Sequence, residues 1–212
     1  YTALSSNPDA GIFRGNSKLD RTISTNYESG LRLKRKDYDV KSAVFYRYDK
    51  NLVDWTYSSD LGPIAGRSAN NVDIGNFGVE NVIHNNWEYI ETTLGYTFLN
   101  KASRYDVEDI DASFYVLNYP THRATFAIIA HPLESVSVRL DSEFRRQVPD
   151  SLRDSSQLAY FIASASVSWQ IPSVKGLEIS AIVENIGKEN FEEVPGVPGA
   201  GRMAGGVLKW TY

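Results

Sequence analysis

The chain has 212 residues, 42% of them hydrophobic and 23% charged, and its formal net charge is −4. That balance leaves no basic footprint for nucleic acid, the lack of Cys removes disulfide scaffolds and thiolate metal sites, and no apolar run approaches the roughly 18 residues a spanning helix needs. What remains distinctive is 13 Tyr, 9 Phe and 4 Trp beside a single Met, a makeup that suits strands with interfacial aromatic girdles.

In chain order, residues 1–23 read as a loop segment and 24–212 as successive strands. Tyr27, Leu31 and Leu33 fall on one parity and Glu28, Arg32 and Lys34 on the other. Val40, Val44, Tyr46 and Tyr48 then oppose Asp39, Lys41 and Arg47. From Ser68 to His84 the pattern loosens, and Gly75 and Gly78 predict a bulge or bend there. Ile90, Thr92, Leu94, Tyr96 and Phe98 share one face of the next segment, as do Ala124, Phe126, Ile128 and Ala130 of the one after. Between Leu133 and Gln147, Val136, Val138, Leu140 and Phe144 alternate with Arg139, Asp141, Glu143 and Arg145. Between Leu158 and Gln170, Phe161, Ala163, Ala165, Val167 and Trp169 alternate with Ile162, Ser164, Ser166, Ser168 and Gln170. Leu177, Ile179, Ala181 and Val183 oppose Glu178, Ser180 and Glu184, and Leu208, Trp210 and Tyr212 close the series. A helix would scatter these sets around its circumference, whereas a strand sorts them to two faces.

The pattern predicts about nine strands of roughly 10 to 15 residues, long enough to cross a bilayer when tilted. Connections at Lys36-Asp37, Asn85-Asn86, Ala130 to Leu133 and Pro172 to Gly176 are short. Those at Asp49 to Arg67, Asn100 to Phe114, Val148 to Gln157 and Gly187 to Ala200 are long. Outer-membrane barrels pair short periplasmic turns with long extracellular loops in this way. A soluble β-sandwich also uses alternating strands, but the crowded charges at Arg139, Asp141, Glu143 and Arg145 suit a hydrated or plugged lumen better. The expected fold class is therefore all-β, an antiparallel transmembrane barrel wall.

Three stretches resemble TonB-dependent receptors, plugged transporters of about 22 strands. The first is Gly15-Asn16-Ser17-Lys18-Leu19-Asp20 with Ser24-Thr25-Asn26-Tyr27-Glu28-Ser29-Gly30-Leu31, although Arg21 or Thr22 stands where the family usually has Glu. The second runs from Ala43 through Asp49-Lys50-Asn51-Leu52-Val53-Asp54-Trp55 to Ala69-Asn70-Asn71-Val72 and Gly78-Val79-Glu80. The third is Val183-Glu184-Asn185-Ile186, then Phe191-Glu192-Glu193-Val194-Pro195-Gly196, Pro198-Gly199 and Gly201-Arg202, with Gly187 and Phe191 departing from the usual Phe and Tyr. The second and third look most like the cobalamin and siderophore branch. The resemblance implies the C-terminal strands of such a barrel in the bacterial outer membrane. An N-terminal plug, the remaining strands and an inner-membrane TonB complex would be partners. So would membrane lipid, the barrel assembly machinery and a small-molecule nutrient. It implies no enzyme activity and no cofactor.

Aromatic faces beside a few positioned charges suit chelates and corrinoids, which makes Trp55, Tyr57, Arg67, Tyr105, Arg145, Arg146 and Phe191 candidate ligand contacts. Girdle or loop packing is the competing role for each. Arg32, Arg47, Arg139, Asp141, Glu143 and Glu184 are expected on the lumen wall, pairing with the plug or with one another. Leu208, Trp210 and Tyr212 resemble the terminal signal read by the assembly machinery. His84, His122 and His131 lack ligand spacing and read as structural, so no metal site is expected. Asp106, Glu108, Asp109 and Asp111 could take Ca²⁺, but a solvated acidic loop weighs more. No nucleophile elbow, phosphate loop or zinc helix motif appears. The rival reading is a self-contained small porin or barrel enzyme, which needs a closed, even strand set.

Overall fold

Every period-two segment forms a strand, and consecutive strands pair with their neighbours. The computed structural model describes residues 2–5, 13–58, 67–106, 110–114, 116–149, 153, 158–194 and 196–211. In chain order the elements are α1 (Thr2–Ser5), β1 (Phe13–Arg14), β2 (Ile23–Lys34), β3 (Tyr38–Tyr57), β4 (Arg67–Asn86), β5 (Ile90–Tyr105), β6 (Ala112–Ser113), β7 (Pro120–Leu133), β8 (Val136–Gln147), β9 (Ala159–Gln170), β10 (Leu177–Glu184), β11 (Glu192–Val194), β12 (Val197–Pro198) and β13 (Met203–Trp210). The wall runs β13-β10-β9-β8-β7-β5-β4-β3-β2, with β1 and β6 attached to β4 and β3. The sheet is open, and β2 and β13 form its edges among the described residues. It is thus not the closed, even set that the small-barrel reading requires.

Register carries each face unbroken from strand to strand. One row runs from Val40 to Ile83, Leu94, Phe126 and Ser142 to Ala163. The neighbouring row on the opposite face runs Asp39, His84, Thr93, Ala127, Asp141 and Ser164. The apolar face is also the exposed one: Leu31 is 83% accessible, Leu208 71% and Trp210 67%. The polar face is the sheltered one, with Asp49, Asn76, Tyr160 and Ser180 buried. A water-soluble sheet would reverse this, because a contiguous apolar patch of such extent is untenable in water and natural in hydrocarbon.

Strand ends differ from the sequence expectation in four places. Asn85-Asn86 and residues 130–133 belong to β4 and β7, and the short turns lie at 87–89 and 134–135. Residues 49–57 and 100–105 continue β3 and β5, so β3 and β4 reach 20 residues each and project past the apolar band. The extension holds because Leu52 pairs with Val72, Asp54 with Asn70 and Thr56 with Ser68. The bulge lies on β3 between Asp49 and Leu52, and not at the β4 glycines. Asn51 adopts a φ of 54° there, its N–H donates to Asp73 and its carbonyl accepts from Asn71, so two side chains lock the extra residue. Gly78 instead makes room for its direct partner Phe45, since a Cβ would lie 2.2 Å from that ring.

Among the described residues, the buried hydrophobic cluster is Val72, Ile74 and Val116, with Leu52, Tyr105 and Leu117 packed against it. It sits at the long-loop end on the polar face. There residues 110–114 and 116–119 fold back onto β3, β4 and β5, so the wall's shelter comes from its own loops.

Candidate functional site

The polar face organises around carboxylates that each collect several donors. Asp49 accepts from Ser24 Oγ, from Arg47 Nε at 2.8 Å and from Asn76 Nδ2 at 3.3 Å. Farther round the wall, Glu143 pairs with Arg123 at 2.8 Å and with Arg145, and Arg145 reaches Glu193 at 3.5 Å. Arg32 pairs with Asp39 and Arg139 with Asp141, both at 2.6 Å. Register puts Glu184 on the same face. The expected lumen residues Arg32, Arg47, Arg139, Asp141, Glu143 and Glu184 thus share one face, and among the described residues all but Glu184 have partners within the wall itself.

Two loops roof this face. Asp54, 1% exposed, holds the first by accepting from Tyr105 Oη at 2.8 Å, Ser113 Oγ at 2.6 Å and the Val116 N–H at 3.2 Å. Beneath it lies an open cleft of about 320 Å³ lined by Phe45, Arg47, Asp49 and Lys101. The second loop, 185–202, starts at Asn185, whose φ of 47° and side-chain bonds to Glu189 and Ala200 bring the loop's two ends together. Its Phe191 ring lies 5.1 Å from that of Tyr160. Arg153 binds the Glu192 carbonyl and Asn118. A second cleft of about 340 Å³ below it is lined by Thr125, Asp141, Glu143, Arg145 and Glu193.

The candidate ligand contacts divide between these places. Arg145 and Phe191 converge on Tyr160 under the second loop, with Arg145 Nη1 3.4 Å from Tyr160 Oη. Arg146 does not join them: it pairs with His122 on the apolar side of β7 and β8, because adjacent strand residues face opposite ways. Trp55 and Arg67 meet around Phe13, with a Trp55 to Phe13 centroid distance of 5.2 Å and the Arg67 guanidinium 3.9 Å from the Phe114 centroid. Tyr105 turns to the other face and is engaged by Asp54. Tyr57 pairs with Ala112, and its carbonyl accepts from the Asp111 N–H. Leu208 and Trp210 lie exposed at the edge strand, while Tyr212 lies outside the described residues, as do Glu108 and Asp109 of the acidic loop. Among the described residues no group of three or more His, Asp or Glu is placed to hold a metal ion.

Sequence reasoning missed Asp54, Tyr160 and Glu193. Asp54 stood inside a quoted motif, and its position two residues past the bulge turns it inward. The other two gain their roles from a loop that folds across three strands, and no local spacing signals that.

An open antiparallel sheet with an exposed apolar face and an ion-paired, loop-roofed polar face is a portion of a transmembrane β-barrel wall. Residues 1–186 match the family described as TonB dependent receptor-like, beta-barrel, and the chain belongs to that family. Among solved structures it is similar to the copper transporter OprC (TM-score 0.72, 13% identity, covering 100% of this chain and 35% of that one). It is also similar to the FrpB iron transporter from Neisseria meningitidis (TM-score 0.67, 12% identity, 94% and 32%) and to a mutant of the ferric enterobactin receptor PfeA from Pseudomonas aeruginosa (TM-score 0.67, 15% identity, 94% and 32%). The chain spans about a third of the length of these relatives. No curated protein matches it by sequence.

Proposed function

We propose that this chain supplies wall and outer loops to an active transporter of the bacterial outer membrane, which binds a scarce nutrient outside and releases it into the periplasm. The observation that carries the reading is the polar face. A lumen lined by Arg32, Arg47, Arg123, Arg139 and Arg145 with their carboxylates is wet, and an unfilled barrel of that width would leak solutes. An N-terminal plug fills it, remodelled when the inner-membrane TonB complex pulls from below. The wall residues act as a fixed, ion-paired surface against which the plug seats, with no chemistry of their own. Residues 1–23 and the longer connections face outside, and Leu208, Trp210 and Tyr212 serve the assembly machinery.

The ligand is a metal chelate or corrinoid. Similar structures named for iron, copper and ferric enterobactin support a ferric or cupric cargo before cobalamin. Arg145, Tyr160 and Phe191 form the outer lumen contact, because an aromatic pair beside a cation suits a flat, anionic chelate. Uptake of radiolabelled ferric siderophores and of labelled cobalamin in cells with and without the gene tests this. The expected result is loss of one energised uptake activity on deletion. A large, permanently open conductance from the whole native protein in planar bilayers would overturn it in favour of a porin.

A further inference from the structure

By the strand registers, the apolar face of the wall strands carries five charged side chains among the described residues: Lys50, Arg67, Asp73, Arg104 and Arg146. All five stand at the long-loop end, where the Phe13 and Phe114 rings engage the Arg67 guanidinium. Lys50 lies opposite Ile23, Arg104 opposite Asp73, and Arg146 opposite His122. Asp73 is already engaged by Tyr48 Oη at 3.1 Å and the Asn51 N–H at 2.8 Å. The other three cations, Lys50, Arg104 and Arg146, are exposed, and among the described residues none has a carboxylate within ion-pair distance. On the polar face, by contrast, the arginines at 32, 47, 123, 139 and 145 all have one.

Their height fixes their surroundings. From Tyr38 to Tyr48, β3 climbs roughly 25 Å along the barrel axis, at ~3.3 Å per residue and a tilt near ~40°, which matches the apolar band of such barrels. Tyr46, Tyr48, Phe77, Phe98, Phe144 and Phe161 form the upper aromatic level of that band. Lys50 stands two residues above Tyr48, Arg146 two above Phe144 and Arg104 six above Phe98, level with the headgroups of the outer leaflet. A guanidinium there faces lipid, and its planar donor fork matches a phosphate.

We propose that Lys50, Arg104 and Arg146 form a belt that binds phosphorylated lipid headgroups of the leaflet on the long-loop side. The inference rests on the membrane-wall reading above. Each cation near an anionic membrane surface contributes about a fivefold preference for anionic lipid, and the three together on the order of a hundredfold.

The test uses the whole native protein, purified in neutral detergent, with native mass spectrometry counting retained diphosphoryl lipid A. A triple variant, Lys50→Gln, Arg104→Gln and Arg146→Gln, is set beside a charge-matched polar-face triple, Lys34→Gln, Lys41→Gln and Lys209→Gln. Heat-modifiable gel mobility verifies that both fold. The expected result is a loss of retention on the order of a hundredfold in the first triple only, with weak binding of dephosphorylated lipid A to the parent. Equal retention by both triples and the parent, or equal binding of the dephosphorylated lipid, would overturn the proposal. So would displacement by millimolar inorganic phosphate, since that assigns the site to the free ion. Failure of the parent to insert into phosphatidylcholine vesicles would instead overturn the membrane-wall reading, so the two failures are distinguishable.

Discussion

The two faces of the same nine strands treat charge in opposite ways. On the polar face Arg139 and Asp141, or Arg123 and Glu143, sit within 2.6 to 2.8 Å of one another. On the apolar face the strands are free of charge from the short turns up to the Tyr48 level, and Leu31, Leu140, Val167 and Leu208 lie open. A strand cannot choose a face residue by residue, because its period is two. The contrast shows that each strand is read by two solvents at once, hydrocarbon outside and a hydrated, loop-roofed lumen inside.

The sharpest way to break that contrast is to put a charge on the wrong face. Leu140→Arg, between Ile128 and Ala165 near mid-band, is expected to cost about 2–4 kcal/mol, read from urea unfolding of the native protein in phosphatidylcholine vesicles. Ser164→Arg on the polar face is expected to cost far less in the same titration.

Loop anchorage comes next. Asp54→Ala leaves the Tyr105 and Ser113 hydroxyls and the Val116 N–H without their acceptor, so a loss of about 1–3 kcal/mol is expected. Amide exchange at 110–119 should quicken while β7 and β8 stay protected, and uniform quickening would show that Asp54 has no local role. Gly78→Val forces a Cβ onto the Phe45 ring and is expected to cost about 1–3 kcal/mol, with part of the loss recovered by adding Phe45→Ala. An unchanged melting temperature would contradict the packing described.

Smaller in stability, but larger in function, is Arg139→Glu. Its pair with Asp141 is about half exposed and worth no more than ~1 kcal/mol, so folding should change little, while under the proposed transport function uptake should fall because the proposed plug would seat against altered charge. Ser166→Ala should leave stability within ~0.5 kcal/mol and uptake at the parent's level.

Much of this was legible in the chain because alternation is a strong local signal. The face assignments of Val136 through Arg145 and of Phe161 through Gln170 follow from parity alone, and the registers carry them across. Strand ends were less legible. Polar residues such as Asp49 and Asp54 read as loop, yet they pair with Ile74 and Asn70 once a bulge at Asn51 turns Asp54 inward and lets it meet Ser113. The site was legible only in part. Arg145 and Phe191 do converge, but through Tyr160 and a loop closed by Asn185, and long-range contacts of that kind leave no spacing pattern. Arg146 shows the limit of choosing residues by type, since its neighbour in sequence faces the other solvent.

The central claim is that lipid meets the apolar face and water the polar one. The chain has no Cys, so Leu140→Cys and Asp141→Cys offer adjacent reporters on β8. With the native protein in bilayers, a spin label at position 140 should be relaxed by lipid-soluble oxygen and shielded from a water-soluble nickel chelate. The label at 141 should show the reverse. Equal nickel accessibility at both positions, or shielding at 140 from both reagents as in a protein core, would contradict the account.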